Sequence, residues 1–262
     1  MAKTSVALLE TALRARKLDV TLTSARPAQA DPVERVPSAL ASIDVVLQGG
    51  LPMGQLSEIA GPASSGRTTL LLSTFAAATR RGEIVALVDP FDRLDVASAV
   101  AAGVDLSRVL WVRGDGCALH GAAGRSLTER ALERGLKALN LILQAGGFGV
   151  VAMDLGDVPA PALALVPRTT WLRVQRAIEG RDTACVLLVD RPLARSAGGL
   201  TVLLDGAQAR ARWAGDSVRS QRLSGLDVTG RVLSPRRAAE GAFACADTVM
   251  DWRASARAVH AS

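Results

Sequence analysis

The sequence has no tyrosine, and aromatic residues make up only 3% of its 262 positions. A platform of stacked rings for single-stranded nucleic acid is therefore poorly supplied. The two histidines, His120 and His260, have no Ser, Cys or metal-ligand spacing around them. His120 follows Cys117, but two ligands do not make a zinc site. The three cysteines, Cys117, Cys185 and Cys245, are scattered and odd in number, which argues against a disulfide framework, and all three read as small apolar filler. Lysine occurs only at Lys3, Lys17 and Lys137, and every other basic residue is arginine. Long apolar runs are missing too. Val85 to Val88 stops at Asp89 and Val186 to Val189 stops at Asp190, whereas a bilayer span needs about 20 apolar residues. Residues 1–20 lack a basic segment followed by an apolar core, which argues against a secretory signal and for a cytoplasmic location.

What is present is a hydrophobic fraction of 49%, enough to bury a large core in one α/β domain with short appendages. The net charge is +6 and the isoelectric point about 10.2. The abundance of Ala, Gly, Val and Arg matches a GC-rich coding bias, so arginine count alone is no argument for nucleic acid. Position says more. Residues 206–262 hold nine arginines against five acids, an excess that makes up most of the total charge. Such a region suits DNA phosphates or an acidic protein surface, or is simply a solvated face.

The patterning predicts an amphipathic helix over Ser5 to Lys17, a strand over Asp19 to Thr23 and a linker over Ser24 to Asp31. Val36 to Leu47 leads into a turn at Gly49 to Gly54. Strand and helix then alternate. Strands are expected at Gln55–Ala60, Ile84–Val88, Val109–Val112, Val150–Met153 and Ala184–Val189. Helices are expected at Thr68–Arg80, Asp95–Ala102, Leu127–Gln144 and Thr169–Glu179. This alternation defines an α/β fold with a mainly parallel sheet and helices on both faces. Beyond Leu200, short runs such as Thr201–Leu204 and Val228–Leu233 suit antiparallel strands that extend the sheet. The chain divides on this reading into an N-terminal helix-strand arm with linker (1–36), a core (37–215) and a basic C-terminal region (216–262).

The most specific motif is Gly61-Pro62-Ala63-Ser64-Ser65-Gly66-Arg67-Thr68-Thr69, placed between a predicted strand and a predicted helix. That is the setting of a phosphate-binding loop. Its glycines let successive N–H groups turn inward, and the helix adds its positive N-terminal end. Gly61, Ser64, Ser65, Gly66, Arg67, Thr68 and Thr69 are the candidate nucleotide-binding residues. The hydroxyl of Thr68 and the carboxylate of Asp154, at the end of the strand Val150–Met153, are the candidate magnesium ligands. Arg67 stands where a lysine is expected. A planar guanidinium does not replace a compact ammonium in a tight loop, which leaves both retained and lost nucleotide binding open and disfavours fast hydrolysis.

Gly50-Leu51-Pro52-Met53-Gly54-Gln55, then Glu58 to Leu70, together with Ala101-Ala102-Gly103-Val104-Asp105-Leu106, resemble the phosphate-loop region of the RecA recombinases. The likeness runs from about Ser38 to Trp213 and is strongest before Val112. Within that superfamily the short chain and altered motifs look most similar to the ImuA family, RecA-like accessory proteins of bacterial damage-induced (SOS) mutagenesis. The resemblance implies a RecA-like core with ATP and magnesium at the loop. It also exposes losses. The water-activating glutamate of RecA aligns with Phe91, which cannot accept a proton; Asp92 is adjacent but points elsewhere on an extended chain. Arg191 stands where RecA has a glutamine that senses the γ-phosphate. The first DNA-binding loop would lie between Asp154 and Thr169, here rich in Pro and Ala. The second would follow Pro192, where few residues remain before Gly198. No catalytic residue is assigned.

The resemblance thus implies an accessory or adaptor protein of translesion synthesis. Its expected partners are an ImuB-like protein, an error-prone DnaE-type polymerase and RecA itself, with DNA as a further ligand and no membrane. Trp213, Phe243 and Trp252 are candidate interface anchors, although buried core aromatics are the commoner case. The alternatives are a DNA-dependent ATPase of the RecA type, which needs Arg67 and Asp92 to act as phosphate cation and base, and a regulator that binds nucleotide without turnover.

Overall fold

In the computed structural model the described residues are 34–115, 124–194, 199–217, 219–233 and 248–255. Residues 1–33 of the predicted arm, and with them the helix at Ser5–Lys17 and the strand at Asp19–Thr23, lie outside them, as do Cys117, His120, Phe243, Cys245 and His260.

Among the described residues the core is an eight-stranded sheet. Strands β3 (Leu56–Ala60), β4 (Val85–Asp89), β5 (Val109–Arg113), β6 (Val150–Asp154) and β7 (Ala184–Val189) are parallel to their neighbours. Three further strands, β8 (Thr201–Ala214), β9 (Arg222–Leu233) and β10 (Thr248–Ser255), complete the sheet in the order β10-β9-β8-β3-β7-β6-β4-β5. β8 runs parallel to β3, while β9 and β10 are antiparallel additions. A separate two-stranded sheet pairs β1 (Arg35–Val36) with β2 (Leu51–Pro52).

Alternating side chains explain why the parallel strands read as continuous apolar runs. In β7, Ala184, Val186 and Leu188 join one core; Cys185, Leu187 and Val189 join the other. β4 and β6 divide in the same way. Helices α1 (Ala41–Val46), α2 (Arg67–Arg80) and α3 (Val96–Ala101) cover the first face. Helices α4 (Gly124–Ala145), α5 (Ala160–Ala164) and α6 (Arg168–Ile178) cover the second.

Local signals set the helix limits. α2 begins at Gly66, whose φ of 92° lets the chain turn from loop into helix. Its buried hydroxyls are satisfied internally, with Thr74 Oγ1 donating to Leu70 O and Thr79 Oγ1 to Phe75 O, both at 2.9 Å. Asp95 caps α3 by accepting from the N–H groups of Ala97 and Ser98. Phe75, buried in the first core, contributes about 2–3 kcal/mol of transfer free energy.

The predicted core elements match the observed ones within one to three residues at each end. The larger difference lies at the end of the chain. The short runs at Thr201–Leu204 and Val228–Leu233 are the inner portions of strands of 14 and 12 residues, whose pairing passes through register shifts between Asp205 and Arg210 and between Arg212 and Trp213. The sheet therefore continues across the expected boundary at residue 216. The Pro- and Ala-rich stretch after Asp154 is not open loop: Leu155, Val158 and Ala162 are buried around α5.

Candidate nucleotide site

The loop from Gly61 to Gly66 joins β3 to α2 at the carboxyl edge of the sheet, where open α/β proteins bind ligands. The N–H of Gly61 donates to Val189 O at 3.0 Å, which ties the start of the loop to the end of β7. Ser64 and Gly66 take positive φ values of 63° and 92°. A Cβ on Gly61 would sit 3.0 Å from Leu204 Cβ, so β8 closes over the start of the loop. Pro62, Ala63, Ser64 and Thr68 are exposed, and Ser65 Oγ is buried without a hydrogen-bond partner. No side chain caps α2. The backbone thus has the form of an anion cradle.

Arg67 does not face out of that cradle. Its side chain is 8% exposed. Nη1 donates to Gly61 O at 2.7 Å and to Asp190 Oδ1, and Nη2 pairs with Asp157 Oδ1 at 3.0 Å. The guanidinium lies flat against Gly156, where a Cβ would come within 2.7 Å of Cζ. Asp157 is shared: its Oδ2 accepts from Arg93 Nη2 at 2.6 Å, and its N–H donates to Asp190 Oδ1 at 2.9 Å. Arg93 Nη1 donates to Gly156 O. Two arginines and two aspartates form one closed network over the ends of β6 and β7. Burial pulls the Arg67 pKa down, but the hydrogen bond and charge of Asp157, with the charge of Asp190, outweigh it and hold it above the usual range. Burial likewise opposes ionisation of Asp157, and Arg67 and Arg93 overcome it, so its carboxyl lies below the ordinary value.

Asp154 ends β6, and Oδ1 accepts from Gly156 N at 2.9 Å. Desolvation holds its carboxyl above the usual range, against the pull of the Gly156 N–H and of Arg93, and the charges of Asp89 and Arg67 also reach it. Asp154 and the loop therefore share one electrostatic environment. Thr68 keeps an exposed hydroxyl on the first turn of α2. Among the described residues no group of three or more His, Cys, Asp or Glu is set to hold a metal ion.

The positions expected to activate water are engaged elsewhere. Phe91 is 2% exposed and packs in the second core. Asp92 has a φ of 54° and turns to Arg113, which clasps it through Nε at 2.8 Å and Nη2 at 2.7 Å. That hydrogen bond, reinforced by charge, holds the Asp92 carboxyl below its ordinary value and makes it a weaker base. Arg191 is exposed. The segment after β7 is pinned from below by buried Glu58: Oε1 accepts from the N–H groups of Leu193 and Ala194 at 2.7 and 2.6 Å, and Oε2 accepts from Thr201 Oγ1 at 3.1 Å.

The sequence reading did not single out Arg93, Asp157, Asp190 or Glu58 for these roles. Asp190 carried a signal, since it directly follows a buried parallel strand. Asp157 had none: its φ of 54° and its partners depend on the fold. A cavity of about 670 Å3, between Met53, Glu83, Phe148 and Arg181, lies at the opposite edge of the sheet and holds no loop residue.

A phosphate loop on the carboxyl edge of a mainly parallel sheet defines the class: an α/β P-loop protein. The RecA N-terminal domain family matches residues 19–122. RecA of Brucella anthropi is 36% identical over 137 residues, covering 52% of this chain and 32% of that protein. RecA of Levilactobacillus brevis is 34% identical over 137 residues, covering 52% and 31%. A KaiC-like protein from Pyrococcus horikoshii OT3 superposes with a TM-score of 0.46 at 16% identity, covering 78% of this chain and 89% of that one. The chain spans about a third of the length of the curated relatives it matches. The sequence matches support placing it in the RecA superfamily. Among the described residues no helix is long and apolar enough to cross a membrane.

Proposed function

We propose that this chain is a RecA-like accessory protein that works by binding and recruitment, with a phosphate loop that keeps its backbone form and has lost its catalytic parts. One observation carries the reading: the cation of the loop, Arg67, is held by Gly61 O, Asp157 and Asp190. The positions for a base agree with it, being filled by buried Phe91 and by Asp92 in the grip of Arg113. Catalysis of phosphoryl transfer rests on placing charge and water closely, and neither group is placed for it.

ATP with magnesium fits the backbone of Gly61 to Thr69, with Thr68 and Asp154 as the groups for the metal. Bound there, the metal supplies charge that neutralises the outer phosphates. The loop then acts as a structural or switching site. The role we assign is that of an ImuA-type adaptor in DNA-damage-induced translesion synthesis, in the cytoplasm. Its partners are an ImuB-like protein, an error-prone DnaE-type polymerase and RecA, with DNA as a further contact. The partner surfaces we assign are the arm at 1–36 and the basic region at 216–262. Trp213, 59% exposed near the end of β8, suits an interface anchor better than a core residue.

Equilibrium binding of a fluorescent ATP analogue with magnesium, followed by phosphate release with and without single-stranded DNA, tests the site. Binding without turnover, or neither, is expected. DNA-stimulated turnover would overturn the reading in favour of a RecA-type ATPase. Pairwise co-purification with an ImuB-like protein and a DnaE-type polymerase from one source tests the adaptor role, and failure of both pairs would refute it.

A further inference from the structure

We infer that the carboxyl edge of the sheet carries a second recognition site, which takes an acidic peptide segment with one bulky apolar side chain. The inference stands whether or not the phosphate loop takes nucleotide. A cavity of about 400 Å3 opens where β4 and β5 end against the first half of α4. This is the outer end of the sheet, where β4 and β5 are the third and fourth strands along from β3. Its floor is aliphatic, with Val88, Val112, Ala131 and Ala138. Its inner wall is fixed by a close approach: a Cβ on Gly135 would lie 2.7 Å from Pro90 Cγ and 2.9 Å from Met153 Cε, so α4 is seated directly on the strand ends.

Three arginines ring this floor: Arg113, Arg130 and Arg134. Arg113 is held rigidly, clasped by Asp92 and stacked 4.4 Å over the Trp111 ring, so its charge is largely matched. Asp115, also on the lining, has a partner of its own. Arg130 and Arg134 differ. They sit one turn apart on the face of α4 that lines the cavity, both exposed, and among the described residues neither donates a hydrogen bond nor pairs with a carboxylate. The nearby Glu133 is bonded by Lys137 at 2.7 Å, and the charge of Arg134 reaches it more weakly. Two guanidinium forks without a hydrogen-bond partner, above an apolar floor, are complementary to carboxylates flanking an apolar side chain, because each fork matches a carboxylate in two-point geometry. A solvated arginine face needs no cavity beneath it; this one has a cavity within the size range that encloses a ligand group. None of the described lining residues is aromatic, so a nucleobase would find no ring to stack on. That favours a peptide over a nucleotide or a nucleic acid.

The test uses the full chain and a fluorescein-labelled peptide, Glu-Asp-Asp-Phe-Asp-Glu-Glu, followed by fluorescence anisotropy. Saturable binding is expected, weakened about tenfold or more by Arg130→Glu with Arg134→Glu, as for loss of paired charges at an interface. Ala138→Trp, which fills the floor without changing charge, is expected to weaken it similarly. Replacing the peptide's Phe by Gly probes the same contact with the protein untouched and is expected to lower affinity as well. Arg173→Glu with Arg176→Glu, two exposed arginines on α6, is expected to change little. Three outcomes would overturn the proposal: equal loss from the α6 pair, no dependence on the peptide's Phe, or displacement by single-stranded oligothymidylate that needs Arg130 and Arg134. The first would mean diffuse charge attraction, and the last would assign the arginines to nucleic acid.

Discussion

Replacing Arg67 by alanine removes the side chain that ties the phosphate loop to Asp157 and Asp190, beyond the ends of β6 and β7. The side chain is 8% exposed and serves three acceptors: Gly61 O, Asp157 and Asp190. Breaking a buried pair from one side costs about 3–5 kcal/mol. The side chains of Asp157 and Asp190 are 41% and 37% exposed, so water recovers part of that loss, and about 2 kcal/mol is the expected net cost. For a domain of this size 1 kcal/mol shifts Tm by about 2–4 °C, so Arg67→Ala should lower Tm by about 4–8 °C at pH 7. The dependence on pH is the sharper test. Asp157 has a lowered pKa in the fold, owed to Arg67 and Arg93 acting against burial. A carboxylate whose folded pKa is depressed contributes stability above its unfolded pKa of about 3.9, and that stability is lost as pH falls through the folded value. The gap in Tm between the native chain and Arg67→Ala should therefore be full at pH 6–7 and shrink as pH drops below about 4. Thermal unfolding by circular dichroism, run in parallel at several pH values, measures it. A gap under about 1 °C at pH 7, or one that widens in acid, would refute the network as the anchor of the loop.

Asp154 has a raised pKa because burial disfavours its charge, so its stability contribution is present in acid and lost as pH rises through the folded value. Asp154→Asn should raise Tm at pH 8 and leave it nearly unchanged at pH 3.5; equal shifts at both would mean that desolvation is not the cause. A Cβ at Gly156 would press on the Arg67 guanidinium. Gly156→Val should thus lower Tm by an amount comparable to Arg67→Ala, and the double variant should add little beyond either single change, as shared contacts predict. The Cys185 thiol is fully buried and pushed up to about 12. With Cys117 and Cys245 replaced by serine, a thiol-specific dye at pH 8 should label the chain only after unfolding; rapid labelling of the folded chain would place Cys185 in an open environment.

Much of the fold was legible because its determinants are local. Strands such as Ala184–Val189 are continuous apolar runs bounded by an aspartate, and α2 is announced by a glycine-rich turn and a run of Leu and Ala. The phosphate loop was legible for the same reason, since its glycines and hydroxyls are consecutive. The long hairpin of β8 and β9 was read too short, because register shifts break the alternation on which a strand is recognised.

The sequence alone determined that a phosphate loop is present, that arginine replaces its lysine, and that Phe91 stands at the position aligned with the base. Only the tertiary structure decided what that arginine does. Its partners Asp157 and Asp190 lie 90 and 123 positions away, and no local pattern couples residues at such separations. They meet because β3, β7 and β6 are neighbours in the sheet and end at the same edge. There, chain topology and the cost of leaving a buried guanidinium unpaired settle which charges pair.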